Sequence, residues 1–182
     1  HVAAKAPVFS FSKIGLAEIA LGPEMKSTGE VMGIGKTYSE AIYKAVNAAN
    51  MRIPAGGTIL MTVADRDKEE SAQLAKGFMD LGYHIMATEG TGAYFQEKGI
   101  DVEIVKKIHE EGKTCAQVIR NGKVDLMVNT LTYGKRPERD GFNLRRMAVE
   151  LAVPCLTSLD TAREVLRVVA NRGKEGFHHV AA

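Results

Sequence analysis

From Gly57 almost to the end of the sequence, short apolar segments alternate with helical patterns, and this alternation constrains the fold most strongly. The first helical pattern follows Asp67, a capping residue, and Gly82 stands just past its end, where a left-handed residue is common. Strands that alternate with helices predict βαβ units, a mostly parallel sheet and helices on both of its faces. The predicted strands are 58–63, 83–87, 101–105, 124–129 and 154–156, and the predicted helices are 67–81, 91–98, 116–121, 144–151 and 160–169.

Polar side chains follow four of these strands in succession. The first strand leads to Lys68, the second to the T-E-G-T stretch 88–91, the third to Lys107, and the fourth to Asn129 and Thr130. In such sheets ligands bind beyond the carboxyl ends of the strands. Hydroxyls, lysines, glycines and a helix N-terminus are the groups that bind phosphate. We therefore expect an anionic ligand here, although each motif alone is also typical of an ordinary turn or helix cap.

The first 55 residues have a different character. Glycine and proline divide them into short pieces, and the β-prone segment 7–11 has no neighbouring hairpin partner. One helix is predicted, because Thr37 and Glu40 form a capping box ahead of apolar residues at helical spacing. We expect that these pieces do not bury one another well and that they form the edge of something larger.

Composition and spacing exclude several classes of function. Lys plus Arg is 24 and Asp plus Glu is 22, which is too balanced to predict nucleic-acid binding from bulk charge. No apolar run is long enough to span a membrane, and the first twenty residues lack a signal-peptide core. We expect a cytoplasmic protein in which Cys115 and Cys155 are free thiols. Glu30 stands where a P-loop before Lys36 would need glycine, and no zinc-ligand spacing occurs, so no metal site is expected.

Two stretches resemble known sequences. Residues 22–33, GPEMKSTGEVMG, resemble the end of the second ATP-grasp unit in carbamoyl-phosphate synthase large chains. Residues 55–170 resemble the methylglyoxal-synthase-like regulatory domain of that family, through D-K at 67–68, A-T-x-G-T at 87–91, V-x-K-x-H-E at 105–110 and N-T at 129–130. The resemblance implies an ATP-grasp tail and linker helix at 1–54, a methylglyoxal-synthase-like domain at 55–170, and a tail at 171–182 that need not be ordered. The implied fold is α/β, a three-layer sandwich whose central, mostly parallel five-stranded sheet is flanked by helices.

The resemblance also implies an effector site, position by position. Thr88 and Thr91 would hold a phosphate, and Lys107 would pair with it. Asn129 and Thr130 would meet a ribose or a base. The implied effector-binding residues are Thr62, Lys68, Thr88, Thr91, Lys107, Asn129, Thr130 and Thr132, with Lys135 and Arg136 as a clamp for the effector.

The resemblance implies that this domain regulates the enzyme and does no chemistry itself, so no catalytic residue and no cofactor is expected here. The implied effectors are UMP, phosphoribosyl pyrophosphate or IMP; ornithine is not expected, because Cys155 stands where ornithine-responsive members have tyrosine. The implied partners are the rest of the large chain and the glutaminase small subunit. The parent enzyme would use ATP and Mg²⁺ or Mn²⁺ to make carbamoyl phosphate for pyrimidine and arginine synthesis.

Two alternatives stay open. The first is a methylglyoxal synthase that eliminates phosphate from dihydroxyacetone phosphate, a reaction that needs a carboxylate base near the phosphate. Only Asp65 and Asp67 are near the predicted site, and Asn129 stands where the related enzymes carry an aspartate. The second is a structural domain that mediates homo-oligomerisation.

Overall fold

The computed structural model describes residues 1–10, 19–20, 24–132 and 140–175, with the backbone alone for 173–175. Within these residues, no helix is both long and apolar enough to cross a bilayer. The strands are β1 Val2–Val8, β2 Gly29–Gly35, β3 Gly57–Thr62, β4 Tyr83–Thr88, β5 Glu103–Val105, β6 Leu126–Asn129 and β7 Cys155–Leu156. The helices are α1 Tyr38–Ala48, α2 Lys68–Asp80, α3 Glu89–Glu97, α4 Cys115–Arg120, α5 Asp140–Glu150 and α6 Leu159–Glu175.

Five strands form one sheet in the order β5-β4-β3-β6-β7, and every pairing in it is parallel. The predicted α/β architecture is therefore confirmed, including the existence of all five predicted strands. Two helical layers cover the sheet, because the crossovers β3–α2–β4 and β4–α3–β5 run one way along it and β6–α5–β7 runs the other.

Two hydrophobic cores lie on opposite faces of this sheet. One joins α2, α3 and α6 to the strands, with Phe78 and Phe95 fully buried in it. The other joins α4 and α5 to the strands around Met127. Along β3, Ile59 belongs to the first core and Leu60 to the second, as the two-residue period of a strand requires. This alternation fixes which face each polar residue at the end of a strand reaches.

The expectation that the N-terminal pieces do not bury one another well is wrong. The first strand lies at Val2–Val8, and it pairs antiparallel with β2, with Val8 opposite Gly29. Helix α1 packs on this two-stranded sheet, since a Cβ at Gly33 would come within 2.1 Å of the Ala41 carbonyl oxygen. Tyr43 of α1 is buried in the core of the parallel sheet, so these pieces are joined to it. Residues 11–18, which include the end of the predicted segment 7–11, lie outside the described residues.

Three helices are longer than their sequence patterns predict. Helix α3 begins at Glu89, because Thr88 has the extended backbone of an N-cap and the helix follows β4 directly. Helix α5 begins at Asp140, four residues before the predicted start. Helix α6 continues to Glu175, where the sequence pattern ends at 169. In its added turn, Asn171 Nδ2 donates to Ser39 Oγ of α1 over 2.9 Å, and this contact ties the two helices together.

Candidate functional site at the carboxyl edge of the sheet

The order of the strands creates one topological switch point. From β3 the chain moves outward through β4 to β5, whereas β6 leads to β7 on the other side of β3. Helices that leave neighbouring strands toward opposite faces open a crevice at the carboxyl ends of those strands. Thr62 and Asn129, the last residues of β3 and β6, are register partners at this point.

Three of the predicted site residues form a row across the middle of the sheet. Thr62 follows Met61, which is the partner of Ala87 in β4, so Thr62 lies beside Thr88 on one side and Asn129 on the other. Met61 and Ala87 face the first core, and pleating therefore turns the row toward the α4 and α5 face. Thr88 and Asn129 are buried and Thr62 is half-buried. The row places two hydroxyls and one amide at the switch point.

Asn129 is held from behind by an arginine. Arg145 Nη1 donates to Asn129 Oδ1 over 2.6 Å, and only 5% of Arg145 and 2% of Asn129 are exposed. Arg145 was not among the predicted site residues, because sequence groups it with the basic residues of the preceding loop. Helical spacing is the sequence signal that could have indicated its burial. Arg145 lies one residue after Leu144 and three residues before Ala148, and these two apolar residues are buried.

Thr91 and Thr130 hold the loop that links β3 to α2. Thr130 Oγ1 accepts a hydrogen bond from the Ala64 N–H over 2.9 Å, in a buried position. Thr91 Oγ1 lies 3.5 Å from the Val63 nitrogen and 3.4 Å from Thr88 Oγ1. A hydroxyl that accepts one bond can still donate its own proton. These threonines are therefore placed to shape the site as well as to line it.

Lys68 brings a positive charge to the first turn of α3. Its Nζ lies 3.7 Å from the place that a Cβ would take on Gly90, and it pairs with Asp65 over 2.7 Å. The hydrogen bond from Lys68 lowers the pKa of Asp65, whose side chain is 94% exposed. The Thr88 side chain makes no capping bond to this helix. An ammonium group and the N–H groups of a helix start thus meet next to the row, which favours an anion.

The remaining predicted residues lie further out. Lys107 is exposed on the loop after β5, and its N–H donates to the Glu110 carboxylate over 3.0 Å. Strand β5 neighbours β4, so this loop starts from the same edge of the sheet. Thr132 is exposed at the end of the described part of the loop after β6. Lys135 and Arg136 lie outside the described residues.

The Cys115 thiol is buried away from this edge's solvent-exposed side chains. Cys115 is fully buried at the start of α4, and burial raises the pKa of its thiol to about 12. Within the described ranges, no group of three or more histidine, cysteine, aspartate or glutamate side chains could hold a metal ion. The row itself carries neutral side chains, and the cation Arg145 contacts one of them.

Part of this chain is similar to known proteins. Residues 70–157 match the family model described as the MGS-like domain. The chain is similar to a methylglyoxal synthase from Elizabethkingia anophelis NUHP1, with 16% identity, coverage of 63% of this chain and 79% of that chain, and a TM-score of 0.47. It is also similar to ForH, with 19% identity, coverage of 67% and 81%, and a TM-score of 0.47. Residues 70–157 are thus similar to an MGS-like domain, and the methylglyoxal-synthase-like α/β fold predicted from sequence is confirmed.

Proposed function

We propose that this chain is an effector-binding regulatory module of a carbamoyl-phosphate synthase large chain, and that the carboxyl edge of its sheet binds a phosphate-bearing nucleotide. The observation that carries the proposal is the row of Thr62, Thr88 and Asn129 at the switch point, with Lys68 beside the first turn of α3. The sequence of residues 22–33 supports the choice of family over other proteins with an MGS-like domain.

In this proposal the phosphate takes the place of a carboxylate. Asp65 accepts from Lys68 with its side chain almost fully in solvent. Breaking such an exposed ion pair costs little free energy. The Lys68 side chain is only 20% exposed, and it would then pair with the phosphate close to the N–H groups of α3. Thr62 would donate its hydroxyl proton to the same group, Thr88 would do so after leaving its 3.4 Å hydrogen bond to Thr91, and Asn129 would contact the ribose or the base. UMP, IMP and phosphoribosyl pyrophosphate all carry the required phosphate.

The proposal makes the module regulatory because the row offers no base. Proton abstraction needs a carboxylate or imidazole within hydrogen-bond reach of the substrate. At the end of β6 stand an amide, Asn129, and a hydroxyl, Thr130. Asp65 is turned to solvent beside Lys68, and Asp67 pairs with Arg66 over 3.5 Å. In the proposed parent enzyme, a cytoplasmic protein, ligase chemistry with ATP and Mg²⁺ or Mn²⁺ belongs to the rest of the large chain, and the glutaminase small subunit is the partner that supplies ammonia from glutamine.

A regulatory module must also transmit binding to its neighbour. Helix α6 starts at the carboxyl edge, where Arg163 pairs with Glu70 in the first turn of α2. At its far end Arg172 lies 5.0 Å from the ring of Tyr43, on α1. We propose that this helix connects the effector site to residues 1–54, which would form the ATP-grasp tail and linker. Allosteric coupling of this kind is typically worth about 1–3 kcal/mol.

Calorimetry with UMP, IMP and phosphoribosyl pyrophosphate tests the proposed function. At least one of them should bind saturably to the wild-type chain, and Lys68→Ala should weaken that binding about 10–100-fold, as expected for the loss of a charge-assisted bond. Lys76→Ala is the matched control, since Lys76 is exposed on the same helix. Absence of binding by all three, or equal binding by wild type and Lys68→Ala, would contradict the proposal. Formation of methylglyoxal from dihydroxyacetone phosphate would favour the catalytic alternative.

A further inference from the structure

We propose that Arg145 is a positioning residue that fixes the Asn129 carboxamide with its NH₂ group available to the ligand, so that the site accepts a hydrogen-bond acceptor next to β6. This inference rests on the proposed function, because it concerns the same site. It specifies the chemical group that the ligand must present there. It also names Arg145, which is not one of the predicted site residues, as the residue that imposes this requirement.

The direction of the amide follows from the chemistry of its partner. A guanidinium group has only donors, so the Asn129 atom 2.6 Å from Arg145 Nη1 must be the carbonyl oxygen. The NH₂ group is then fixed on the other branch of the carboxamide. Both residues are buried, and water is therefore poorly placed to compete for either group. An amide without such a partner can rotate and offer either its donor or its acceptor.

The packing of α5 keeps this pair in place. Gly141, in the first turn of α5, lies against both side chains: a Cβ there would come within 3.2 Å of Arg145 Nη1. The same Cβ would lie 3.6 Å from Asn129 Oδ1 and 3.7 Å from its Nδ2. Glycine at this position lets the helix approach the amide without pushing the guanidinium aside. Strand β6 supplies Asn129 and helix α5 supplies both Gly141 and Arg145, so the orientation belongs to rigid elements.

The ligand group at β6 should consequently be a hydrogen-bond acceptor. A phosphoryl oxygen, a ribose hydroxyl oxygen and an oxo group of a base all satisfy this requirement, whereas an exocyclic amino group does not. The positive charge of Arg145 lies directly behind the amide and polarises its N–H bonds, which strengthens the bond to an anionic oxygen. Arg145 itself need not touch the ligand.

Asn129→Asp separates orientation from stability. The carboxylate still accepts from Arg145, so the thermal midpoint should stay at or above that of wild type. The donor is lost, so UMP affinity should fall at least tenfold, or ~1.4 kcal/mol. Arg145→Gln should also weaken UMP binding, because glutamine can accept as well as donate, and Arg145→Lys should restore most of it, because lysine only donates. Arg146→Gln is the matched control on the same helix, where Arg146 pairs with Glu150, and it should bind UMP like wild type.

Two further probes identify the acceptor. If inorganic phosphate loses affinity in Asn129→Asp as UMP does, the acceptor is a phosphoryl oxygen. If instead the preference for UMP over CMP falls, it is the base oxo group. If UMP loses affinity while inorganic phosphate and the preference for UMP over CMP are unchanged, it is a ribose oxygen. The inference is overturned if wild type binds UMP and either Asn129→Asp or Arg145→Gln binds it equally well. It is also overturned if, without ligand, Asn129→Asp unfolds at a temperature well below that of wild type. Failure of the proposed function differs from both, because wild type would then bind none of the probes, which overturns both proposals.

Discussion

The hydrogen bond between Thr130 and the Ala64 N–H gives a prediction about how the site is built. Ala64 immediately precedes the turn Asp65–Asp67 that leads to Lys68, and the bond is buried. Thr130→Val keeps the shape of the side chain but removes the acceptor, so it leaves a buried N–H unsatisfied. Such a group costs ~1–3 kcal/mol. For a chain of this size each kcal/mol lowers the midpoint by about 2–4 °C, so we expect a fall of roughly 2–12 °C.

The assay is thermal and urea unfolding of the whole chain, with nucleotide binding measured in parallel. Thr130→Ser is the control, because it retains the hydroxyl and should lose much less stability than Thr130→Val. Nucleotide affinity of Thr130→Val should also fall, since the loop that carries Lys68 loses its attachment to β6. The reasoning is refuted if Thr130→Val is as stable as wild type, or if Thr130→Ser is destabilised as much as Thr130→Val.

Three other predictions concern packing and titration. Gly33→Ala should lower the free energy of unfolding by ~1–3 kcal/mol or more, because its Cβ would overlap the backbone of α1. Gly29→Ala is the control and should change little, because open space surrounds Gly29. Equal stability of the two variants would contradict the packing of α1. Iodoacetamide at pH 8 should label native Cys155 much faster than Cys115, whose raised pKa leaves almost no thiolate, and mass spectrometry would expose the opposite order. The hydrogen bond from Lys113 lowers the pKa of Glu103. The stability that this bond contributes is present above pH 4.5 and is lost as the pH falls through the lower pKa of Glu103 in the folded state. The loss of stability with falling pH should therefore be less steep in Glu103→Gln, and identical acid-unfolding profiles would contradict this prediction.

The fold of the parallel sheet could be predicted because its signals are local. Each strand is a short apolar run and each helix has its own caps and spacing. Outside the parallel sheet, Thr37 caps α1 by accepting from the Glu40 N–H over 3.2 Å, while the Glu40 carboxylate accepts from the Lys36 N–H. The pairing of β1 with β2 could not be predicted in this way. Its register partners Val8 and Gly29 are separated by twenty residues, 9–28, so no short turn motif in the sequence predicts the pairing.

The composition of the site was local information too, but its geometry was not. Polar residues at the ends of strands were visible in the sequence, and the parallel sheet places them at one edge. The roles of Thr91 and Thr130 in holding the β3–α2 loop depend on contacts over 28 and 66 residues. The buried contact of Arg145 with Asn129 likewise depends on how α5 packs on β6. No periodicity or spacing encodes such contacts directly.

A titration of the isotopically labelled chain with UMP, followed by amide NMR, would test the central claim most directly. The account predicts saturable shifts at the carboxyl edge, at Thr62, Thr88 and Asn129, with little change at Gly57 and Tyr83, which lie at the opposite edge of the same strands. Saturable shifts confined to that opposite edge, or no shifts at a nucleotide concentration that saturates related sites, would contradict it.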